Sequence, residues 1–198
     1  MFWDSKIKNF KVVDDLISNF DTVQKEIINH INTPDILYDY PMYLVLDDKP
    51  IYEKYWKATP CSVFKDEHVE LNGTPQLQQF LMFLVSKFRT NCPVTYSIIK
   101  EEENKGVLVN SFISRLVPGT IINPHDGWTN KYMRIHLGVI CDPDCKITVN
   151  GETRAWEEGK ILAFNDGDLH SVRHEGVKER VVFSFDMDLD YLKNYMHD

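Results

Sequence analysis

Cysteine is scarce in this chain, with Cys61, Cys92, Cys141 and Cys145 the only four in 198 residues and irregularly spaced. So few thiols cannot build a disulfide framework, and their usage fits a reducing compartment. Only Cys141 and Cys145 lie close together, in CDPDC. A metal clip there would need two further thiolates or imidazoles, so the acidic, proline-containing stretch between them reads as a turn. Long apolar runs are missing as well. The longest, Phe80 to Val85, is six residues, far short of a membrane span, and the N-terminus MFWDSKIKNF is charged and lacks an apolar signal core. There is no run of lysine or arginine either. With 22 basic against 30 acidic side chains the formal charge is -8, which argues against nucleic acid or an anionic membrane as partner. The chain is therefore expected to be cytoplasmic, with a small molecule or a peptide left open as partner. No internal repeat, low-complexity tract or flexible linker divides it.

What is present is enough apolar material for one full core, 43% of residues, which favours one compact domain. Val12, Val13, Leu16, Ile17, Phe20, Val23, Ile27, Ile28 and Ile31 recur at intervals of three and four and predict an amphipathic helix that ends before Thr33-Pro34. A second helix is announced by Thr74 as N-cap and Pro75 at the first helical position. Leu77, Phe80, Leu81, Leu84, Val85 and Phe88 form its apolar face, and it stops near Asn91-Cys92-Pro93. Between the helices, Tyr38, Tyr40, Tyr43, Tyr52, Tyr55 and Trp56 belong to an aromatic stretch that reads as core or as a lid over a barrel.

Near residue 93 the period switches to two. VTYSIIK, VLVNSFISRL, YMRIHLGVI, KITVN, TRAW, KILAF, HSVRH and RVVFSFDMD are strand candidates, and Asn150-Gly151 is a strong two-residue hairpin turn. Short strands at this spacing predict a mainly β fold with N-terminal helices, of jelly-roll or cupin-like type. The expected organisation is a helical and aromatic segment over residues 1–92 packed on a barrel over residues 93–198, one compact domain overall.

Seven histidines are present, His30, His68, His125, His136, His170, His174 and His197, and a lone histidine is an ordinary polar side chain more often than a ligand. Three have a position that changes this. His125 closes a strand-to-turn segment, His170 opens a strand after the Asn165-Asp166-Gly167-Asp168 turn, and His136 lies mid-strand among apolar neighbours. An imidazole inside a small barrel needs a partner, since leaving it unsatisfied costs about 1 to 3 kcal/mol. A metal or a bound anion would serve. Arg134 and Arg180 raise the same question more sharply. Arg134 shares strand parity with His136, and Arg180 shares it with Val182 and Ser184, so inward-facing guanidiniums are expected, each of them requiring a partner. Imidazole pairs and an arginine fork together point to a borderline metal such as Fe(II) and an acidic co-substrate.

The order of these motifs resembles that of the aspartyl/asparaginyl β-hydroxylase family of Fe(II)- and 2-oxoglutarate-dependent oxygenases. The resemblance runs from about Ser111 to Asp188, through VPGTIINPHDGWTN, YMRIHLGV, NGETRAWEEGKILAFNDGDLHSV and RVVFSFDMD. It implies a double-stranded β-helix that hydroxylates an unactivated C–H bond, consuming O2 and releasing succinate and CO2. Carried over by position, it implies iron ligands at His125 and His170 and a clamp on the distal carboxylate of 2-oxoglutarate at Arg180, assisted by Ser114. It further implies a basic pair at Arg134 and His136 beside the other carboxylate, and an acidic residue, Asp166, acting on iron-bound water. Where the wider oxygenase superfamily has a ligating carboxylate, two positions after the first histidine, this chain has Gly127, which is normal for the resembled family. A carboxylate introduced at Gly127 is accordingly expected to add a third ligand. Asp126, adjacent to His125, would point to the opposite face of an extended strand and reaches the metal only through a bulge, which leaves the third iron position to Asp126 or water.

The substrate is expected to be a free amino acid, a short peptide or a similar small molecule, held by the aromatic segment and Trp128. Two rival readings differ in class. In one, a halogenase, chloride takes the place that Gly127 leaves. In the other, a non-enzymatic cupin-like protein binds metal or ligand without turnover.

Overall fold

The computed structural model describes residues 1–39, 45–46, 49–50, 52–53, 55–62, 75–127 and 129–194. Three helices open the chain, α1 (Asp4–Ile7), α2 (Lys11–Ser18) and α3 (Phe20–Ile31). Short strands follow, β1 (Tyr38–Asp39), β2 (Val45–Leu46), β3 (Lys49–Pro50), β4 (Tyr52–Glu53) and β5 (Trp56–Pro60), then helices α4 (Pro75–Asn91) and α5 (Pro93–Lys105). The rest is β-rich: β6 (Leu108–Leu116), β7 (Ile121–His125), β8 (Tyr132–Ile140), β9 (Cys145–Val149), β10 (Glu152–Ala155), β11 (Ile161–Asn165), β12 (His170–His174) and β13 (Arg180–Asp188), closed by α6 (Leu189–Lys193).

Two antiparallel sheets face each other. One has the order β1-β5-β6-β13-β8-β11 and the other β10-β9-β12-β7-β4, so most neighbours in space are not consecutive in sequence, as a double-stranded β-helix requires. Alternation along the strands explains two separate cores. On β13, Val181, Phe183, Phe185 and Met187 pack outward against Leu16, Ile27, Phe88 and Ile99 of the helices, while Val182 joins Trp56, Leu116, Ile147 and Phe164 between the sheets. Sandwiched between helices and barrel, β13 is buried over all but its last residue. The Asn150-Gly151 turn joins β9 to β10 with φ of 48° and 84°, the left-handed pair that a type I′ hairpin needs.

Three sequence expectations are corrected. The helix expected through residue 31 is two helices, broken at Asn19, whose side-chain amide and backbone N–H both bond the carbonyl of Asp15 (2.8 and 3.1 Å). Its buried face survives the break in Val12, Val13, Leu16, Val23, Ile27 and Ile31, but Ile17 is exposed. VTYSIIK is not a strand but the start of α5. Its N-terminal amides are capped from afar by Glu26, whose carboxylate accepts the N–H of Val94 and of Thr95 (2.9 Å each) and the Thr95 hydroxyl (2.7 Å). That tertiary cap overrides the β-branched local composition. Finally, residue 93 is no boundary of the sheets. The aromatic segment before it supplies β5, which pairs with β6, and β4, which pairs with β7. On α4, Leu84, Val85 and Phe88 are buried as expected, whereas Leu77 and Phe80 are exposed. Thr74, Tyr40, Tyr43, His68, Trp128 and His197 lie outside the described residues.

Candidate active site

Strand register brings the first two histidines together. His170 is directly paired with His125 across β12 and β7, with a bulge in β7 just beyond, and the ring centroids are 4.2 Å apart. Each ring is oriented by its own chain: Nδ1 of His125 lies 2.8 Å from the carbonyl of Asn123 and Nδ1 of His170 lies 2.7 Å from that of Asp168. A carbonyl only accepts, so Nδ1 carries the proton in both rings and Nε2 keeps its lone pair. Burial lowers both from the usual histidine range, His170 to about 3 with His125 adding to the effect. Two neutral, tautomerically fixed imidazoles with free Nε2 lone pairs are a donor set suited to a borderline divalent metal.

Arg180 lies fully buried on the wall of the same cavity, which the two histidines, Ser114, His136 and Arg134 also line. Its Nη1 donates to the carbonyl and the hydroxyl of Ser114 (3.2 and 3.1 Å), and its guanidinium sits 4.7 Å from the ring of Trp156. Among the described residues it meets no carboxylate, and its Nε has no acceptor. The groups that act on it electrostatically are the thiols of Cys145 and Cys141, which burial itself holds protonated. Both thiols are free, and CDPDC is the turn between β8 and β9.

Arg134 is different. Its Nε and Nη2 donate to the two carboxylate oxygens of Asp186 (2.8 and 2.9 Å), and its Nη1 pairs with Asp166 at 2.5 Å. Asn110 adds a bond to Asp186 at 3.2 Å. Arg134 thus has a structural role, its guanidinium holding two buried carboxylates. Asp166 sits against Gly127, whose N–H donates to the Asp166 carbonyl at 2.9 Å. A Cβ at Gly127 would come within 2.3 Å of that carbonyl oxygen and of Asp166 Oδ2. A third ligand added there would have to displace Asp166, because the space already holds its carboxylate. One guanidinium against two carboxylates leaves this corner with one net negative charge, which a nearby divalent cation would offset.

The structure thus gathers His125, His170, Ser114, Arg134, His136 and Arg180 around one cavity, with Asp166 buried behind its wall against Arg134 and Gly127. Asp126 is exposed at its rim, and among the described residues no three His, Cys, Asp or Glu side chains converge as a metal site. His174 is buried on β12 with Nδ1 accepting from Gly176 N–H, and His30 is buried among the helices. Sequence reasoning missed Asp186 and Trp156, and placed Trp56 in the aromatic stretch without its bond to Ser114. Asp186 was readable, since it shares the inward parity of Arg180 and lies opposite Arg134 in the register. The two tryptophans carried no such signal. Trp56 begins β5 and donates its indole N–H to Ser114 Oγ (2.9 Å), while Trp156 follows β10 and donates to His136 Nδ1 (3.2 Å).

A cupin-like double-stranded β-helix whose inter-sheet cavity sets a few buried polar groups among apolar side chains is the class that fold and cavity define. The chain belongs to the aspartyl/asparaginyl beta-hydroxylase family, whose model, described as Aspartyl/Asparaginyl beta-hydroxylase, matches residues 46–189. Aspartate beta-hydroxylase domain-containing protein 2 of Homo sapiens is 36% identical over 149 residues, covering 69% of this chain and 40% of that protein. Aspartyl/asparaginyl beta-hydroxylase of Mus musculus is 44% identical over 71 residues, covering 35% of this chain and 10% of that one. The chain thus spans well under half the length of these relatives. Among solved structures, a Pseudomonas putida prolyl-4-hydroxylase is similar over 89% of this chain and 96% of its own, at 13% identity and a TM-score of 0.47. The fold assignment rests on the strand order itself.

Proposed function

We propose that this protein is an Fe(II)- and 2-oxoglutarate-dependent hydroxylase that acts on an unactivated C–H bond of an amino acid, short peptide or similar small molecule. The observation that carries the reading is Arg180, a guanidinium buried beside two neutral imidazoles with no carboxylate partner among the described residues. Burying such a charge is costly unless an anion neutralises it, and a dicarboxylate that reaches from Arg180 toward the histidines does so. Family membership supports the hydroxylase class.

His125 and His170 would hold the iron through Nε2. Bound iron would supply the oxidising chemistry, with O2 consumed and succinate and CO2 released. Arg180 and Ser114 fix one carboxylate of the co-substrate, and His136, beside the Arg134 guanidinium, receives the other. Arg134 keeps Asp166 in place against Gly127, close to the imidazole pair. Trp56, Phe112 and Phe164 line the cavity and limit water at the reacting carbon. Among the described residues no helix is long and apolar enough to cross a membrane.

Loading the protein with Fe(II) and 2-oxoglutarate without oxygen, then admitting oxygen with a panel of amino acids and short peptides, tests the proposal. Succinate release coupled to a one-oxygen mass gain in one substrate is expected. No succinate from the loaded protein, with or without any substrate, overturns it.

A further inference from the structure

We infer that Trp56 and Trp156 are positioning residues that turn the anion pocket into a cavity of hydrogen-bond donors, so that it selects a carboxylate over the matching amide. This rests on the reading of the pocket as a co-substrate site. An indole group has one N–H and no lone pair to offer, so whatever it bonds must accept.

Trp156 Nε1 lies 3.2 Å from His136 Nδ1. That nitrogen must therefore present its lone pair, and the proton of the neutral imidazole is left on Nε2, on the side of the ring away from Trp156. His136 lines the cavity and is 9% exposed, so the outcome is a fixed N–H donor where either tautomer was chemically open. The same indole ring lies under the Arg180 guanidinium at 4.7 Å. One side chain therefore orients two cavity groups.

Trp56 acts on Ser114 in the same way. A serine hydroxyl has two lone pairs and one hydrogen. Trp56 Nε1 takes one lone pair at 2.9 Å and Arg180 Nη1 takes the other at 3.1 Å, so both are used. The hydroxyl hydrogen remains, and no acceptor among the described residues takes it. Ser114 lines the cavity, and it too is left as a donor.

Arg180, Ser114 and His136 then offer only hydrogens to a ligand. An ionised carboxylate accepts at both oxygens and satisfies such a cavity, whereas a primary amide sets its own N–H against a donor. In this arrangement the discrimination comes from two indoles that need not touch the ligand, and neither replacement of tryptophan by phenylalanine removes a charge.

The first measurement needs no ligand. Side-chain 15N shifts of His136 in the metal-free protein, assigned by comparison with His136→Gln, should show a proton on Nε2 and a bare Nδ1. In Trp156→Phe, which keeps an aromatic ring beneath Arg180, the two tautomers should mix. The second is anaerobic calorimetry on the Fe(II)-loaded protein with 2-oxoglutarate and with its 5-amide. Trp56→Phe should shrink the preference for the carboxylate by about tenfold, the equivalent of one well-placed hydrogen bond. A proton on Nδ1 in the unaltered protein overturns the inference without any variant, even if the tryptophan variants fail to fold. Binding of 2-oxoglutarate with unchanged preference in Trp56→Phe and an unchanged tautomer in Trp156→Phe overturns it while leaving the hydroxylase reading intact. Failure of the unaltered protein to bind 2-oxoglutarate, with the Nε2 proton present and lost from its fixed place in Trp156→Phe, upholds the donor cavity and removes the co-substrate instead.

Discussion

The carboxylate of Asp166 occupies the space that any side chain at Gly127 would need. Glycine here is therefore a packing requirement as much as a missing ligand. Gly127→Asp and Gly127→Ala are both expected to lower stability, by about 1 to 3 kcal/mol in the manner of other overpacked sites, and Gly127→Asp should gain no iron affinity. Chemical denaturation together with iron titration checks this. Tighter iron binding by a stably folded Gly127→Asp would show that Asp166 moves aside.

His125→Ala and His170→Ala should each remove iron binding while leaving the barrel folded, because either leaves a single imidazole of the opposed pair. His174→Ala should keep iron near normal, since that ring is turned to the Gly176 backbone. Equilibrium dialysis followed by metal analysis distinguishes the three.

For Arg180→Gln the expected loss of 2-oxoglutarate affinity is about 2 to 5 kcal/mol, the usual effect of truncating one side of a buried charge pair. Arg180→Lys should recover only part, since an ammonium has no planar fork to bond Ser114 and the ligand together. Unchanged affinity in a calorimetric titration of Arg180→Gln would place the co-substrate elsewhere.

Stability should fall in mild acid for a reason remote from the site. His30 is fully buried, with its Nδ1 facing the Asn91 amide and its Nε2 without a partner, and burial lowers it from 6.5 to about 4. Between these values the unfolded chain binds a proton that the folded chain refuses. Stability is thus complete above the unfolded value and is lost as pH falls from there toward about 4. His30→Leu should flatten this dependence, sparing about 1 to 2 kcal/mol on going from neutral pH to about pH 5, as read by urea unfolding. An unchanged pH slope would assign the acid sensitivity to other groups.

Much of the barrel was legible because its information is local. Alternation marks β6, β8 and β11 to β13, and Asn150-Gly151 marks a hairpin, since the left-handed conformation of that turn is open to few residue pairs. The inward parity of Arg134, His136 and Arg180 was readable in the same way, as was the motif order that points to the family.

Tertiary structure decided what depends on groups distant in the chain. Glu26 caps α5 across 68 residues, which turns a β-branched segment into a helix that no local pattern reveals. Whether a buried arginine is paired within the protein or left for a ligand is likewise a matter of register: Arg134 lies opposite Asp186, whereas Arg180 lies opposite Leu116. The polarity of the cavity is set by two indoles, one of them 58 residues from the serine it bonds. Sequence alone determined which side chains face inward, because strand geometry imposes a period of two. Only the folded chain determined which of them already had partners, because hydrogen bonds and ion pairs are settled by distances of a few ångströms between strands that the sequence keeps far apart.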